Sequence, residues 1–97
     1  MQTISTIQQT ITPLLRKYRI QKAALFGSVV ENGSTEKNDI DILIEPPKHM
    51  TLFDMAGLQI DLEERLQKPV DLVTYRGINP RIKHFVLNHQ REIYEKR

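Results

Sequence analysis

The stretch FGSVVENGSTEKNDIDILIE, residues 26–45, decides the fold. A Gly-Ser pair leads into a polar segment, after which Asp39 and Asp41 flank Ile40 at the start of an apolar run. Because side chains alternate along a strand, the two carboxylates are expected on one face and Ile40 on the other. The stretch therefore predicts a buried strand that begins with two acids on the same side.

The segment before this stretch has apolar residues at three- and four-residue spacing from residue 4 to residue 18. This spacing is typical of an amphipathic helix. Pro13 removes an amide donor in its middle, so the helix either kinks there or restarts with Thr12 as its N-cap.

The segment after the stretch begins with Thr51 and Asp54, which resemble a capping box with Asp in place of Glu and predict a helix of about 15 residues. Its main apolar stripe consists of Leu52, Met55, Leu58, Leu62 and Leu66. A second stripe of Phe53, Ala56 and Ile60 lies away from the first. That stripe fits either core burial on both sides of the helix or a patch that faces a partner.

Three short apolar runs and a C-terminal segment complete the pattern. Asn79 followed by Pro80 is typical of the start of a last helix, whereas residues 92–95 fit either its continuation or a strand. The runs predict strands over 23–26, 40–44 and 70–73. Helices that alternate with short strands predict an α+β fold, with a small sheet and helices packed on it.

Length and composition limit the classes of function. The 97 residues predict one domain, 1–97, with a modest core. There is no cysteine, and the sequence shows neither the features of a signal peptide nor a run long enough to span a bilayer, so we expect a cytoplasmic protein that does not bind membranes. A net charge of +2 with interspersed charges argues against strong direct nucleic-acid binding.

The acidic residues suggest metal chemistry. Adjacent carboxylates repel unless a cation lies between them, and Mg²⁺ accepts one or two carboxylates together with substrate phosphates. Asp39 and Asp41 alone also fit a turn and a solvated strand edge. A third acid, Asp71, lies in the apolar run VDLV, where an unpaired charge is costly. Gly27-Ser28, after a strand, offers exposed amides and a hydroxyl suited to phosphate oxygens.

The order of these elements resembles a known signature. Gly27-Ser28, ten intervening residues and then Asp39-Ile40-Asp41 are similar to the signature of the nucleotidyltransferase superfamily, which includes DNA polymerase beta and kanamycin nucleotidyltransferase. The whole chain resembles the minimal nucleotidyltransferase (MNT) family, which usually pairs with HEPN-domain proteins as antitoxin with toxin. The resemblance runs through LFGS, NDIDILIE, TLFDMAGLQIDLEERL, KPVDLVTY and NPRIKHFVLNHQREIYE.

The resemblance implies a nucleotidyltransferase fold with a small mixed sheet of three strands, or of four. It implies that Asp39, Asp41 and Asp71 bind two Mg²⁺ ions, and that Asp71 helps to activate an attacking hydroxyl. Gly27 and Ser28 would hold the β- and γ-phosphates of ATP. The implied reaction transfers AMP from ATP to a hydroxyl of a partner protein, a HEPN toxin, and so makes the chain an antitoxin.

The sequence departs from the family pattern directly after the Gly-Ser pair. Relatives commonly have a loop of the form Arg-Ala-Arg-Gly, whereas this chain reads Val29-Val30-Glu31-Asn32-Gly33. The departure leaves open an alternative, a catalytically weak or inactive binding module that neutralises a HEPN toxin by forming a complex. A transferase acting on a small molecule would need an acceptor-holding region, or a homo- or hetero-oligomer that builds the pocket between subunits.

Overall fold

The computed structural model describes residues 3–32 and 39–96, without the side chains of Ser28 and Asn32. Within these ranges the helices and strands alternate along the chain. They are α1 (Ile4–Lys17), β1 (Lys22–Phe26), α2 (Ser28–Asn32), β2 (Ile40–Glu45), α3 (Leu52–Leu66), β3 (Val70–Thr74), a 3₁₀ turn (Tyr75–Gly77), α4 (Pro80–His89) and β4 (Arg91–Glu95).

The strands form one mixed sheet in the order β3-β2-β1-β4. β1 is antiparallel to both of its neighbours, and β2 is parallel to β3. The predicted α+β class is confirmed, and the segment that could be helix or strand is a fourth strand. This segment is extended because it pairs with β1. An ion pair between the two strands, with Lys22 Nζ 2.9 Å from Glu92 Oε1, adds to the pairing.

The first helix is continuous from Ile4 to Lys17, with Pro13 inside it. The alternative of a restart after Thr12 is therefore wrong. The N-cap of the helix is Thr3, nine residues before Thr12, where Thr3 and Thr6 form a reciprocal capping box. Side chains from both halves hold the helix in the core, namely Ile7, Ile11, Leu14 and Leu15.

The third helix has the predicted bounds and the predicted capping box. The Asp54 amide donates to Thr51 Oγ1, and the Thr51 amide donates to Asp54 Oδ2, each at 3.1 Å. Leu58, Leu62 and Leu66 are buried as predicted, and Met55 is half-buried. Placing Leu52 in the same stripe was wrong, because it is 89% exposed. Leu52 lies ten residues before Leu62, and at about 100° per residue its side chain is rotated by about 80° around the helix axis from that of Leu62.

The core lies on both faces of the sheet. On one face α1 and α3 cover alternate strand residues, including Ile40, Ile42 and Ile44. On the other face a smaller cluster joins Ala24, Leu43, Ile78 and Val86, with Val73 and Tyr75 packed against it. Because side chains alternate along each strand, Asp41 shares the second face with Leu43, and Asp71 shares it with Val73.

Some large apolar side chains remain exposed on two helices. On α3 they are Leu52, Phe53 and Ile60, and on α4 they are Ile82 and Phe85. The second stripe of α3 therefore faces away from the core, which excludes burial on both sides of that helix. Across the described ranges, none of the helices is both apolar enough and long enough to traverse a bilayer.

Candidate active site

The turn that follows β1 brings the backbone against an acidic side chain. Gly27 has a φ of +74°, a left-handed conformation that favours glycine. Its carbonyl accepts from the amides of Val30 at 3.1 Å and Glu31 at 3.2 Å, which turns the chain into α2. A Cβ at this position would collide with Asp41 Oδ2. Glycine is required here both by the backbone angle and by the carboxylate beside it.

The strand registers place two of the candidate acids side by side. Asp41 is paired with Phe26 of β1 on one side and with Asp71 of β3 on the other. Directly paired residues of neighbouring strands lie about 5 Å apart. Asp39 comes just before β2 and is exposed. The structure therefore brings Gly27, Asp41 and Asp71 together at one end of the sheet.

The electrostatics of this end depend on burial and on like charges. Asp41 is half-buried, and its pKa is raised from 3.8 to about 6. Burial is the largest cause, followed by the negative charges of Asp71 and Asp39. The charged form of Asp41 is therefore less favourable than that of an ordinary carboxylate, and a nearby cation would offset this cost, as is expected of a metal-binding carboxylate.

The position of Asp71 corrects one premise of the sequence argument. We expected a costly charge inside an apolar strand, but Asp71 is exposed because β3 is an edge strand of the sheet. Water can solvate it, so its presence in VDLV does not require a metal. The support for a shared site comes instead from its pairing with Asp41.

The fit to magnesium rests on two carboxylates. Across residues 3–32 and 39–96, no three His, Cys, Asp or Glu side chains are grouped as a ready metal site. Mg²⁺ does not require such a cage, since it commonly uses one or two carboxylates and completes its shell with water and substrate phosphates. Asp41 and Asp71 are directly paired on adjacent strands. Their two carboxylates can therefore supply the protein ligands of such a coordination shell.

The phosphate-binding half of the predicted site is described in part. Ser28 is the first residue of α2, but its side chain lies outside the described atoms, as do residues 33–38. Val29, where relatives commonly carry a basic residue, is fully buried in the larger core cluster. Glu31 is exposed. The departure from the family pattern thus consists of a core residue and a surface acid.

Two features of the site could be judged only from the structure. The close approach of Gly27 to Asp41 was not predicted, because it depends on the register between β1 and β2 rather than on spacing in the sequence. Tyr75, which follows β3 at the other end of the sheet, lies outside the site and packs against the smaller core cluster. Its hydroxyl lies 3.0 Å from Gln90 Oε1.

Comparison with known families agrees with this geometry. Residues 9–97 match the polymerase beta nucleotidyltransferase domain. The chain therefore belongs to that family, and it is a nucleotidyltransferase. It is 41% identical over 85 residues to a protein of Methanocaldococcus jannaschii called "Putative protein adenylyltransferase", a match that covers 88% of this chain and 91% of the relative.

Solved structures show the same fold. A toxin-antitoxin complex with AMP-PNP contains a chain that superposes with a TM-score of 0.76 at 24% identity, covering 93% of this chain and 74% of that one. A tri-AMPylated Shewanella oneidensis HEPN toxin in complex with an MNT antitoxin gives a TM-score of 0.72 at 23% identity, covering 95% and 72%. The fold is that of the minimal nucleotidyltransferases.

Proposed function

We propose that this protein is a magnesium-dependent adenylyltransferase that transfers AMP from ATP to a hydroxyl of a HEPN-domain toxin and thereby acts as an antitoxin. The pairing of Asp41 with Asp71, beside a glycine that admits no side chain, is the observation that carries the proposal. Residues 1–97 would act as one minimal domain, with the acceptor hydroxyl supplied by the partner.

Each predicted residue has a role that its position permits. Asp41 and Asp71, with Asp39 beside them, would hold two Mg²⁺ ions. The ions would neutralise the charge on the attacking and leaving oxygens. The backbone at Gly27 and the start of α2 at Ser28 would receive the β- and γ-phosphates.

The reaction forms one bond and breaks one. The acceptor oxygen would bond to the α-phosphorus of ATP, and the bond from that phosphorus to the bridging oxygen would break, so that pyrophosphate leaves. The proton of the acceptor hydroxyl would pass to the exposed carboxylate of Asp71 and from there to water. Because Asp71 lies on an edge strand, a partner hydroxyl can approach it from solvent.

The relatives support the donor and the partner. The Methanocaldococcus jannaschii relative bears an adenylyltransferase name, and one structural neighbour was solved with AMP-PNP. Another neighbour is an MNT antitoxin bound to an AMPylated HEPN toxin. An enzyme that uses ATP for this purpose would act in the cytoplasm, where ATP and the toxin are present.

The deciding experiment uses α-³²P-labelled ATP, Mg²⁺ and a HEPN-domain toxin as the candidate partner. Wild type should label the partner, and Asp41→Ala and Asp71→Ala should each reduce the labelling by a factor of about 100 or more. Glu64→Ala, an exposed acid on α3, is the matched control and should label as wild type does. Absence of transfer by wild type, or equal transfer by Asp41→Ala, would reject the proposal.

The exposed stripe of α3 favours a second candidate, a binding module that neutralises the toxin by forming a complex. Phe53 is 88% exposed and Ile60 57% exposed, and Ala56 lies between them on the same line. An apolar patch of this kind is typical of a protein interface.

The binding module predicts a different pattern of variants. Asp41→Ala would still neutralise the toxin, whereas Phe53→Glu combined with Ile60→Glu would not. Arg65→Glu, an exposed charge change on the same helix but off the stripe, is the matched control. Loss of neutralisation in Asp41→Ala with retained binding would favour the enzyme over the binding module.

A further inference from the structure

A cavity of about 730 Å³ lies at the end of the sheet opposite the candidate active site. It opens where the parallel strands β2 and β3 end, with Glu45 and Thr74 at its rim. Asp41 and Glu45 are four residues apart along β2, which corresponds to about 13 Å. The cavity is therefore a separate site from the paired aspartates.

Its position agrees with a general property of sheets. Loops diverge beyond the carboxyl ends of parallel strands, and ligands of open α/β sheets bind in the crevice formed there. The paired aspartates lie near the opposite, amino-terminal ends of β2 and β3. Its volume is within the range of about 300 to 1,000 Å³ that small-molecule sites occupy.

The walls of the cavity are held in place by the fold. Pro46 and Pro47 supply two rigid rings, and the amide of Met50 donates to the Pro47 carbonyl at 3.2 Å. On the other side the Tyr75 ring is fixed through its hydroxyl at Gln90. These residues give the cavity a preformed apolar wall.

The polar residues of the cavity give it a positive charge. Lys48 and Arg76 lie at the lining, together with one carboxylate, Glu45. Across the described ranges neither Lys48 nor Arg76 forms an ion pair with an acid. Gln21 adds an amide to the lining. Two unpaired cations beside a flat apolar wall fit an anionic group attached to a ring.

We propose that this cavity binds a phosphorylated, ring-bearing small molecule of nucleoside monophosphate size. Lys48 and Arg76 receive the phosphate, and the ring lies against Pro46, Pro47 and Tyr75. Glu45 accepts a hydrogen bond from a hydroxyl or amino group of the ligand. The site is independent of magnesium and of the paired aspartates.

The test maps AMP binding on the ¹⁵N-labelled full chain in the presence of EDTA. AMP should shift the backbone amides of Gln21, Thr74 and Arg76 with a Kd of millimolar order or tighter. Adenosine and inorganic phosphate should each bind at least about ten-fold more weakly, because each lacks one half of the ligand. Shifts confined to Gly27, Asp41 and Asp71 would overturn the proposal, as would no shift up to about 10 mM AMP.

Variants separate a built site from general attraction of anions. Lys48→Gln and Arg76→Gln should each weaken AMP binding by about ten-fold or more. Lys83→Gln, which removes an exposed cation on α4 away from the cavity, should leave AMP binding unchanged. Equal weakening by all three variants, or inorganic phosphate binding as well as AMP, would also overturn the proposal.

Discussion

Asp41 of β2 and Asp71 of β3 are direct partners in the parallel ladder, and the charge of Asp71 helps to raise the pKa of Asp41 to about 6. The ordinary value is 3.8, so the folded state favours the protonated carboxyl. The contribution of Asp41 to stability is therefore most favourable below pH 3.8 and declines as the pH rises to about 6. A site of this kind stores electrostatic repulsion that a cation can relieve.

Removing the charge of Asp41 should stabilise the metal-free protein. With allowance for partial exposure of the carboxylate, we expect Asp41→Asn to gain about 1 kcal/mol at pH 7.5 in EDTA, or roughly 5 °C in Tm. The gain should vanish near pH 4, where wild type is itself largely protonated. Thermal melts at both pH values measure it. A difference in Tm that does not depend on pH would contradict the explanation.

Magnesium should make wild type more stable than Asp41→Asn, the reverse of the order expected in EDTA. At a concentration about ten times its Kd, Mg²⁺ should stabilise wild type by about 1.4 kcal/mol at pH 7.5, because it binds only the folded site. Asp41→Asn and Asp71→Asn should each lose most of this gain. Glu95→Gln, an exposed acid paired with Lys22 at the end of β1 opposite the site, should retain it. Equal Mg²⁺-induced changes in Tm for all of these proteins would indicate general ionic effects.

Substituting Gly27 tests the close approach of the backbone to Asp41. Gly27→Ala should cost at least about 2 kcal/mol, since the left-handed angle disfavours a side chain and the new Cβ would collide with the carboxylate. In the Asp41→Ala background the collision is gone, so only the conformational cost of about 1 kcal/mol should remain. Urea unfolding of the four proteins measures the coupling, and strict additivity would exclude the contact.

The sequence determines most of the elements because their signals are local. Thr51 and Asp54 lie one turn apart and cap α3 through their own backbone groups, so the start of that helix could be predicted. Gly27, at the end of an apolar run, likewise marks the turn after β1. Signals of this kind depend on neighbours in the chain, which the sequence displays directly.

Other features depend on which strands become neighbours. Residues 92–95 could not be distinguished from helix because they are extended only through pairing with β1. Asp71 appeared to be a buried charge because the sequence does not show that β3 is an edge strand. For the same reason the proximity of Gly27 and Asp41 emerges only from the register of β1 with β2.

The exposed stripe of α3 should contribute little to stability in the isolated protein. Phe53→Ser and Ile60→Ser should each change the free energy of unfolding by no more than about 0.5 kcal/mol, because neither side chain is buried. Leu62→Ala, two residues after Ile60 on the same helix and fully buried, should cost about 2 to 5 kcal/mol. Urea denaturation measures all three. A large loss for Phe53→Ser would show that the stripe belongs to the core.

A hydrogen bond between α1 and α3 provides the last prediction. Tyr18, which caps α1, donates through its hydroxyl to Asp61 Oδ2 of α3 at 2.6 Å. This bond is the main cause that raises the pKa of Tyr18 above its ordinary value of 10.0. Tyr18→Phe removes the donor and should cost about 1 kcal/mol at pH 7.5.

The pH dependence of that cost identifies the bond. The pKa of Tyr18 is raised in the folded state, so the stabilisation is fully present below pH 10.0 and declines as the pH rises through the raised value. The stability difference between wild type and Tyr18→Phe should therefore shrink above pH 10.0. Tyr94→Phe is the matched control, because within the described ranges Tyr94 packs at the core without a side-chain hydrogen bond of this kind. If Tyr94→Phe shows the same pH-dependent loss, the effect reflects general unfolding at high pH rather than the Tyr18–Asp61 bond.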